Sequence, residues 1–569
     1  MMSSNHELNA LQSIRFNEYK SFSERGPFTI QVNKNVILII GRNNCGKSSI
    51  IDVIEAFLLS KRREELSSGL KGICASFILD QEIVAHGFPK GAHHSLIGDL
   101  ESFGKEFIGE KFTVDCTEKG YKAAEKQEDI SISYNGRAKA ARDNWNTISR
   151  FIENRMADVR FRRLNADRDV VPEFESDSEV VNYNGDGATN LVRKYINNGS
   201  LDESIVEERI LDELNTIMQQ DAHYTNIRIQ QVKSDEDGKY KWEVFLEEDN
   251  HRFALSKSGS GLKTILLLLI NLYLIPKTNE YVDKKIVFAF EEIENNLHPA
   301  LQRRVFQYLY DYAVDHNAKI FITSHSHIAI NTFFDKEHAS ICHITKNKNN
   351  SFIQTVSGGK DAAAILDDLD VKASDLFQAN GIIWVEGPSD RLYILQWLKV
   401  FTGCGLIEGL HFQFMYYGGR LLSHFELEDG SEKTEGLINI LTTNRNAAIV
   451  IDSDKHSLRA HINQTKRRVR DEFKRQGYYC WITKGKEIEN YVAAEAVNKT
   501  YGCDLKQIEQ FDRFPDYISK YDKNFSTHKV DAARKICEHI TEENSESIFD
   551  LQDSIIMLYN EIKKWNNLE

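Results

Sequence analysis

The chain has 569 residues, too many for a single hydrophobic core and enough for about three domains. A formal net charge of −14 argues against general coating of nucleic acid, while leaving room for a local basic groove. Eight cysteines, scattered and without a C-x-x-C pair, indicate neither a zinc site nor a disulfide framework and fit reduced thiols in the cytoplasm.

Residues 11–57 read as strand, strand, loop and helix. The apolar run NVILII (residues 35–40) leads directly into GRNNCGKSSI. Gly41 and Gly46, with Asn44 between them, let main-chain N–H groups turn toward an anion, and a helix starting at Lys47 adds its positive end. Lys47 is placed to reach the β- and γ-phosphates of a nucleotide. Ser48 is placed to ligate Mg²⁺, and Ser49 follows in the first turn. A glycine turn before an ordinary helix is the bland alternative; the buried strand in front favours ATP.

Further along, alternation at residues 112–115 and 130–134 predicts a small antiparallel sheet. A polar, acidic stretch over about residues 172–190 carries Asn-Gly and Asp-Gly turn signals and leads into a helical region to about residue 220. That region reads as an insertion or interaction module, since no heptad persists. Strand patterning returns at Ile227. Residues 259–275 are helical, with Asn271 breaking the longest apolar run well short of a membrane span. Residues 286–290 and 319–322 are short apolar strands. KNKNN at residues 346–350 and the glycines at 358–359 suggest a domain boundary, and a second α/β unit opens at GIIWVEGPSD. The start, MMSSNHELNA, has no apolar signal region.

Four motifs in the first half stand in a significant order. The phosphate loop is followed by LSKSGSGLKTILLL, then IVFAFEEIENNLHP, then KIFITSHSH. Each alone is weak; a pair of glutamates after a strand is most often a helix N-terminal turn. Together they resemble an ABC-type ATPase head of the RecF/SMC branch. The opening NALQSIRFNEYKSF is similar to that branch too, with Glu18 interrupting its usual pattern. The resemblance implies that Glu291 holds the Mg²⁺ shell, although an aspartate is usual there. It implies that Glu292 polarises the attacking water and that His325 contacts the γ-phosphate. Ser258, Gly259 and Gly261 would present a helix N-terminus to the γ-phosphate of a partner head. ATP would then be sandwiched in a homodimer, which could assemble further to a tetramer.

The second half carries acids at strand ends. Glu386 ends the strand before GPSD, where Asp390 follows, and AAIVIDSDKHS ends in Asp452 and Asp454. Spacing of i, i+2 puts the latter two on one side of an extended stretch. Oxygen ligands gathered in this way suit Mg²⁺ or Mn²⁺. The pattern resembles a TOPRIM domain; a strand, loop and helix with an aspartate cap is the plainer alternative. WITKGKEIENYV adds Glu487 and Glu489 as ligands for a second ion, or as an acidic helix start.

An ABC-type head followed by TOPRIM resembles the overcoming-lysogenization-defect (OLD) family of nucleases over nearly the whole chain. That implies metal ligands at Glu386, Asp390, Asp452, Asp454 and Glu489, and an assisting lysine, matched by Lys529. It also implies bacterial anti-phage defence. The branch includes retron effectors, whose partner would be a reverse transcriptase with its multicopy single-stranded DNA. DNA is the expected substrate and no membrane is expected. Lys466, Arg470 and Lys474 fall on one helix face as candidate phosphate contacts. VRFRRLNADRD (residues 159–169) is a second basic cluster in which Arg168 could reach ATP or the partner head.

The expected fold is α/β, with an ABC/RecF-SMC-like head, a helical insertion, and a TOPRIM domain with a helical extension. The expected boundaries are 1–170 and 226–345 for the two head lobes, 171–225 for a dimerising helical insertion, 346–379 for a linker, 380–500 for TOPRIM and 501–569 for a C-terminal helical region. The expected activity is ATP-regulated, metal-dependent DNA cleavage. The rivals are a RecF/SMC-like repair ATPase without nuclease chemistry, and a topoisomerase-like enzyme, which would need a catalytic tyrosine such as Tyr491.

Overall fold

A computed structural model describes residues 8–356 and 381–568, apart from 9, 24–25, 60–63, 66–68, 92–98, 118–119, 125–137, 220, 234–237, 250, 335, 404, 407, 409–410, 418–445, 524, 526–527 and 567. The chain divides into two compact units, residues 1–371 and 372–569.

In the first unit β1 (Leu11–Phe16) pairs antiparallel with β2 (Phe28–Gln31), and β3 (Val36–Ile40) follows with all five residues buried. The helix α1 (Lys47–Leu58) comes next. β4 (Cys74–Ile78), β5 (Lys111–Thr117) and β6 (Gly120–Ala123) extend the antiparallel sheet in the order β2-β1-β4-β5-β6. Then come β7 (Val159–Leu164), α2 (Ala188–Asn197) and α3 (Leu211–Met218). β8 (Asn226–Lys233), β9 (Tyr240–Glu248) and β10 (His251–Ala254) form a three-stranded antiparallel sheet. After α4 (Ser260–Leu269) the chain alternates β11 (Lys285–Glu291), α5 (Pro299–Asp315), β12 (Lys319–Ser324) and α6 (His327–Phe333). It closes with the hairpin β13 (Ala339–Asn347) and β14 (Asn350–Val356).

The central sheet has the order β14-β13-β3-β12-β11-β7 and is parallel except for β14. Parallel strands covered on both faces must be apolar throughout, which is why VILII and IVFAF read as unbroken runs. Their carboxyl ends share one rim of the sheet, where ligands of open α/β folds sit.

Three expectations change. The helices of residues 171–225 are not a separate insertion: Leu191, Ile210 and Leu214 lie in one core with Leu267, Val305 and Phe306. Hydrophobic residues on both faces of that region are spent inside the head. KNKNN is not part of a linker but the turn of the β13–β14 hairpin, with Lys348 at φ 55° supplying the left-handed twist a tight hairpin needs. Residues 130–134 and 358–359 lie outside the described residues. The helix Ser260–Lys277 is long and apolar enough to cross a membrane. Its Asn271 is fully buried, accepting from Arg162 Nε at 2.5 Å and donating to Leu267 O at 2.7 Å, so the segment is committed to the head core.

Burial depresses Lys319, at the start of β12, to about 7, even though its ammonium donates to the carbonyls of Val32 and Lys34. Between about pH 7 and 10 the unfolded lysine therefore holds a proton that the folded one does not, and folding stability rises with pH across that window. Thermal melts should show the wild type gaining on Lys319→Met as pH rises from 7 to 10; a pH-independent gap would refute this.

The second unit carries β15 (Ile382–Val385), α7 (Pro388–Thr402), β16 (Gln413–Tyr416), β17 (Ala447–Ile451), α8 (Gln464–Arg475), β18 (Tyr479–Ile482), α9 (Lys529–Cys537) and α10 (Leu551–Trp565). Its sheet is parallel throughout, in the order β16-β15-β17-β18. α9 and α10 pack on α7 in the core around Tyr393 and Trp397, so residues 501–569 complete this domain rather than extend it.

Candidate functional site

The phosphate loop joins β3 to α1. Asn44 and Gly46 are both left-handed, at φ 61° and 108°. A Cβ on Gly41 would lie 2.3 Å from Ile344 O, and one on Gly46 would lie 2.8 Å from the Phe22 ring, so the loop closes only with glycine at both positions. The buried Lys47 ammonium donates to Gly41 O at 3.0 Å and Arg42 O at 3.3 Å, and stands 3.6 Å from Glu292. Ser49 is buried in the first turn. Ser48 Oγ donates to Glu291 Oε2 at 2.5 Å, bringing together the hydroxyl and the carboxylate that would share a Mg²⁺ shell. The longer glutamate thus reaches the position expected of an aspartate. Its other oxygen takes Arg163 Nε at 2.6 Å.

Glu292 sits at φ 45° and is held there from three sides. Its N–H donates to Thr323 O at 2.9 Å. Arg168 donates to the carbonyls of Glu291 and Glu292 at 2.7 and 2.9 Å. Asn295 Nδ2 donates to its carboxylate at 3.1 Å. A left-handed non-glycine residue persists only where its surroundings hold it in this way. Burial brings Arg168 down to about 10, opposed by Glu294, Glu292 and Glu291. Arg163 also bonds Asp52 at 2.9 Å, and Arg162 is spent on Asn271 and Val181 O. The basic cluster at residues 159–169 is therefore consumed inside the head and offers little to DNA.

His325 follows β12, whose Ser324 pairs with Ile40 at the end of β3; its ring is 43% exposed on this rim. Ser258 and Gly259 precede α4, with Gly259 as its N-cap and open space where a Cβ would stand. Gly261 lets α4 approach the turn after the glutamates, since a Cβ there would be 3.1 Å from Asn296 O. Among the described residues, no hydrogen bond or ion pair joins Ser258, Gly259 or Gly261 to the phosphate loop of their own chain.

In the second unit the acids converge on the carboxyl ends of the parallel strands. Glu386 follows β15. Asp390, in α7, accepts from the N–H groups of Glu386 and Gly387 at 3.0 and 3.1 Å. Asp452 follows β17, and Glu489 lies in the short helical turn after β18. Burial raises the Asp452 carboxyl well above its usual range, and Asp390, Glu489, Glu386 and Asp454 push it further. Burial, Glu489 and Glu386 bring Asp390 up to about 7. Glu386 is raised by burial and by Asp454. Asp454 is not extended beside Asp452, as the spacing suggested. Its φ of 53° turns it outward, 68% exposed, to pair with Lys466. Glu487 accepts from Phe514 N at 2.6 Å, and burial and Glu489 raise its carboxyl above the usual range. Lys529 Nζ, at the start of α9, donates to Glu489 at 3.1 Å. Among the described residues, no three of these acids enclose an ion as they stand; the Lys466 and Lys529 ammonium groups hold them instead.

Residues 10–330 match the model of the AAA ATPase domain family, more than half of the chain. The chain belongs to that family. No curated protein matches it. Among solved structures, an SMC head domain from Thermotoga maritima is similar at 12% identity, with 61% of this chain and 99% of that chain covered and a TM-score of 0.30. An SmcHead bound to the C-winged helix domain of ScpA gives 14%, 62%, 99% and 0.34. An Smc head with an extended coiled coil bound to the ScpA C-terminal domain, derived from Pyrococcus furiosus, gives 12%, 63%, 99% and 0.33. At that distance no residue role passes from these structures to this AAA ATPase.

Sequence reading missed several working residues of the AAA ATPase. Arg163, Asp52 and Glu55 form an ion network behind Glu291; only the arginine in a strand facing an acid-bearing helix hinted at it. Lys466, read as a DNA contact beside Arg470 and Lys474, is buried and donates to Asp452 O at 2.9 Å. The helix α8 turns Val469 and Phe473 inward as well, so its N-terminal lysine follows them and only its later basic residues reach solvent. Tyr491 is fully buried, with its hydroxyl donating to Asp550 at 2.6 Å, which makes it unsuited to attack DNA as a topoisomerase nucleophile would.

Proposed function

We propose that this AAA ATPase is an ATP-regulated, divalent-metal-dependent DNA endonuclease of the OLD type, with a TOPRIM second unit, acting in anti-phage defence and serving there as a retron effector. The observation that carries the nuclease reading is the convergence of Glu386, Asp390, Asp452 and Glu489, with Asp454 and Lys529 beside them, at one end of a four-stranded parallel sheet. Carboxylates raised by burial and by one another make a folded site short of positive charge. All the donors are hard oxygens, the ligand class that suits Mg²⁺ and Mn²⁺. Glu386, Asp390, Asp452, Asp454 and Glu489 would hold such an ion, which when bound supplies charge to a phosphodiester and lowers the pKa of water. The chain's own part is to gather those oxygens at one end of the sheet. Lys529 keeps a cation at Glu489, since Glu489, Glu487 and Asp390 more than offset the burial that opposes its charge. The retron reading rests on the order of the two domains and would bring a reverse transcriptase and its single-stranded DNA as partners. Purified protein incubated with supercoiled plasmid should nick or linearise it with Mg²⁺ or Mn²⁺ and not with chelator, and ATP should change the rate. Intact plasmid under every condition would leave a repair-type ATPase as the reading.

The head is expected to dimerise around ATP, because among the described residues Ser258 and Gly259 make no hydrogen bond to their own phosphate loop. Glu292→Gln should bind ATP and hydrolyse it on the order of a hundredfold more slowly, as the water loses its base. Light scattering of that variant with ATP should report a dimer or larger; a monomer would contradict the sandwich.

A further inference from the structure

Glu294 is a buried acid at the ATP rim for which neither the phosphate loop nor the glutamate pair has a use. It is only 3% exposed. Its Oε1 accepts from Ser324 Oγ at 2.6 Å and from the N–H of His325 at 3.0 Å, and stands 3.6 Å from His325 Nδ1. Its Oε2 is buried without a hydrogen-bond partner among the described residues. A buried carboxylate oxygen left without a donor is costly, so such a group calls for a reason.

The surroundings supply one. Ser324 is fully buried at the end of β12 and cannot move without the central sheet. Its hydroxyl also accepts from Ser326 N at 3.0 Å, fixing the turn that carries His325. Ser326 in turn donates to Gln302 Oε1 at 2.9 Å, and Gln302 donates to Leu297 O at 2.9 Å in the turn that holds Glu294. The two turns are thus laced together, and the histidine ring is the one member left partly free. At 3.6 Å its Nδ1 is beyond hydrogen-bond distance, but a small ring rotation closes the gap.

We propose that Glu294 is a positioning residue for ATP hydrolysis: it captures Nδ1–H of His325, so that Nε2 is aimed at the γ-phosphate as the site closes. The pairing of a carboxylate with one imidazole nitrogen fixes which nitrogen faces the substrate. This rests on His325 as the γ-phosphate contact, and the test separates the two.

ATP turnover is measured in Glu294→Gln, Glu294→Asp, His325→Ala and the double variant Glu294→Gln/His325→Ala, with melting temperatures alongside. Glu294→Gln should lower kcat by about tenfold or more with KM nearly unchanged, the pattern of an interaction made in the transition state. Glu294→Asp, which keeps the charge one methylene back, should recover part of the loss. The double variant should be no slower than His325→Ala, since coupled residues are not additive. Wild-type turnover in Glu294→Gln beside a slow His325→Ala overturns the role of Glu294 alone. Wild-type turnover in His325→Ala overturns the histidine contact and the proposal with it. A double variant slowed by the product of the two single effects shows that Glu294 acts elsewhere and overturns the proposal. If Glu294→Gln does not fold, kcat of Glu294→Asp decides: a wild-type value overturns the proposal, and a lowered value with unchanged KM supports it.

Discussion

Asp452→Ala is expected to abolish DNA cleavage while ATP turnover stays within about twofold of wild type, because the two sets of residues belong to different compact units. The partly buried carboxyl follows the end of β17 and feels Asp390, Glu489, Glu386 and Asp454 at once. It is the acid on which the others converge. Losing one ligand of an ion that stabilises developing phosphate charge should cost about 4 kcal/mol, or on the order of a thousandfold in rate. Alanine also removes a carboxyl whose ionisation burial and its acidic neighbours oppose, so the domain should not melt lower; a thermal scan checks this. The nucleotide residues, Lys47 through His325, all belong to the first unit. Plasmid cleavage and phosphate release are measured on one preparation. Persisting cleavage with metal dependence intact would move the nuclease site elsewhere. Joint loss of both activities in a folded protein would mean that each reaction needs the other.

The second large effect is at Lys47. Lys47→Ala should reduce ATP hydrolysis by on the order of a thousandfold, because the phosphate-loop lysine is the cation placed for the β- and γ-phosphates. Its ammonium donates to Gly41 O and Arg42 O and stands beside Glu292. Alanine leaves those two carbonyls to water and one acid without its partner. A melting point lowered by a few degrees with unchanged circular dichroism is expected. Turnover at the wild-type rate would displace the nucleotide from this loop. If ATP gates cleavage, the same variant should also lose the ATP response in the plasmid assay.

What the sequence disclosed follows from how local each feature is. The positions of Lys47, Ser48, Glu291 and Glu292 are legible because each pair sits where an apolar strand meets its following turn, and the fold brings the two pairs into contact. The position of Asp452 just after β17 is legible for the same reason. Asp454 was named correctly as an acid but misplaced, because a backbone at φ 53° breaks the alternation that the i, i+2 rule assumes. Lys466 was assigned outward because helical periodicity alone does not say which face is buried; Val469 and Phe473 decide it. The role of Arg163 is not legible in the sequence, because its partners, Asp52, Glu55 and Glu291, come from two distant segments that meet only when β7 joins β11. The helices of residues 188–218 looked detachable because their polar leader reads as a loop, whereas their apolar faces are shared with α4 and α5.

The acidic cluster also has an order in time. Its members are spread from Glu386 to Lys529, and the sheet that gathers them needs β18, made after the long connection between β16 and β17. A ribosome adds residues at roughly 5–20 per second. The head can therefore fold and load nucleotide while the cluster still lacks Glu489, and the cluster lacks its lysine until α9 has emerged. A truncated or stalled chain ending before residue 489 would carry an ATPase head and an incomplete acidic cluster. For the nuclease proposed above, late assembly is a form of restraint written into chain connectivity alone.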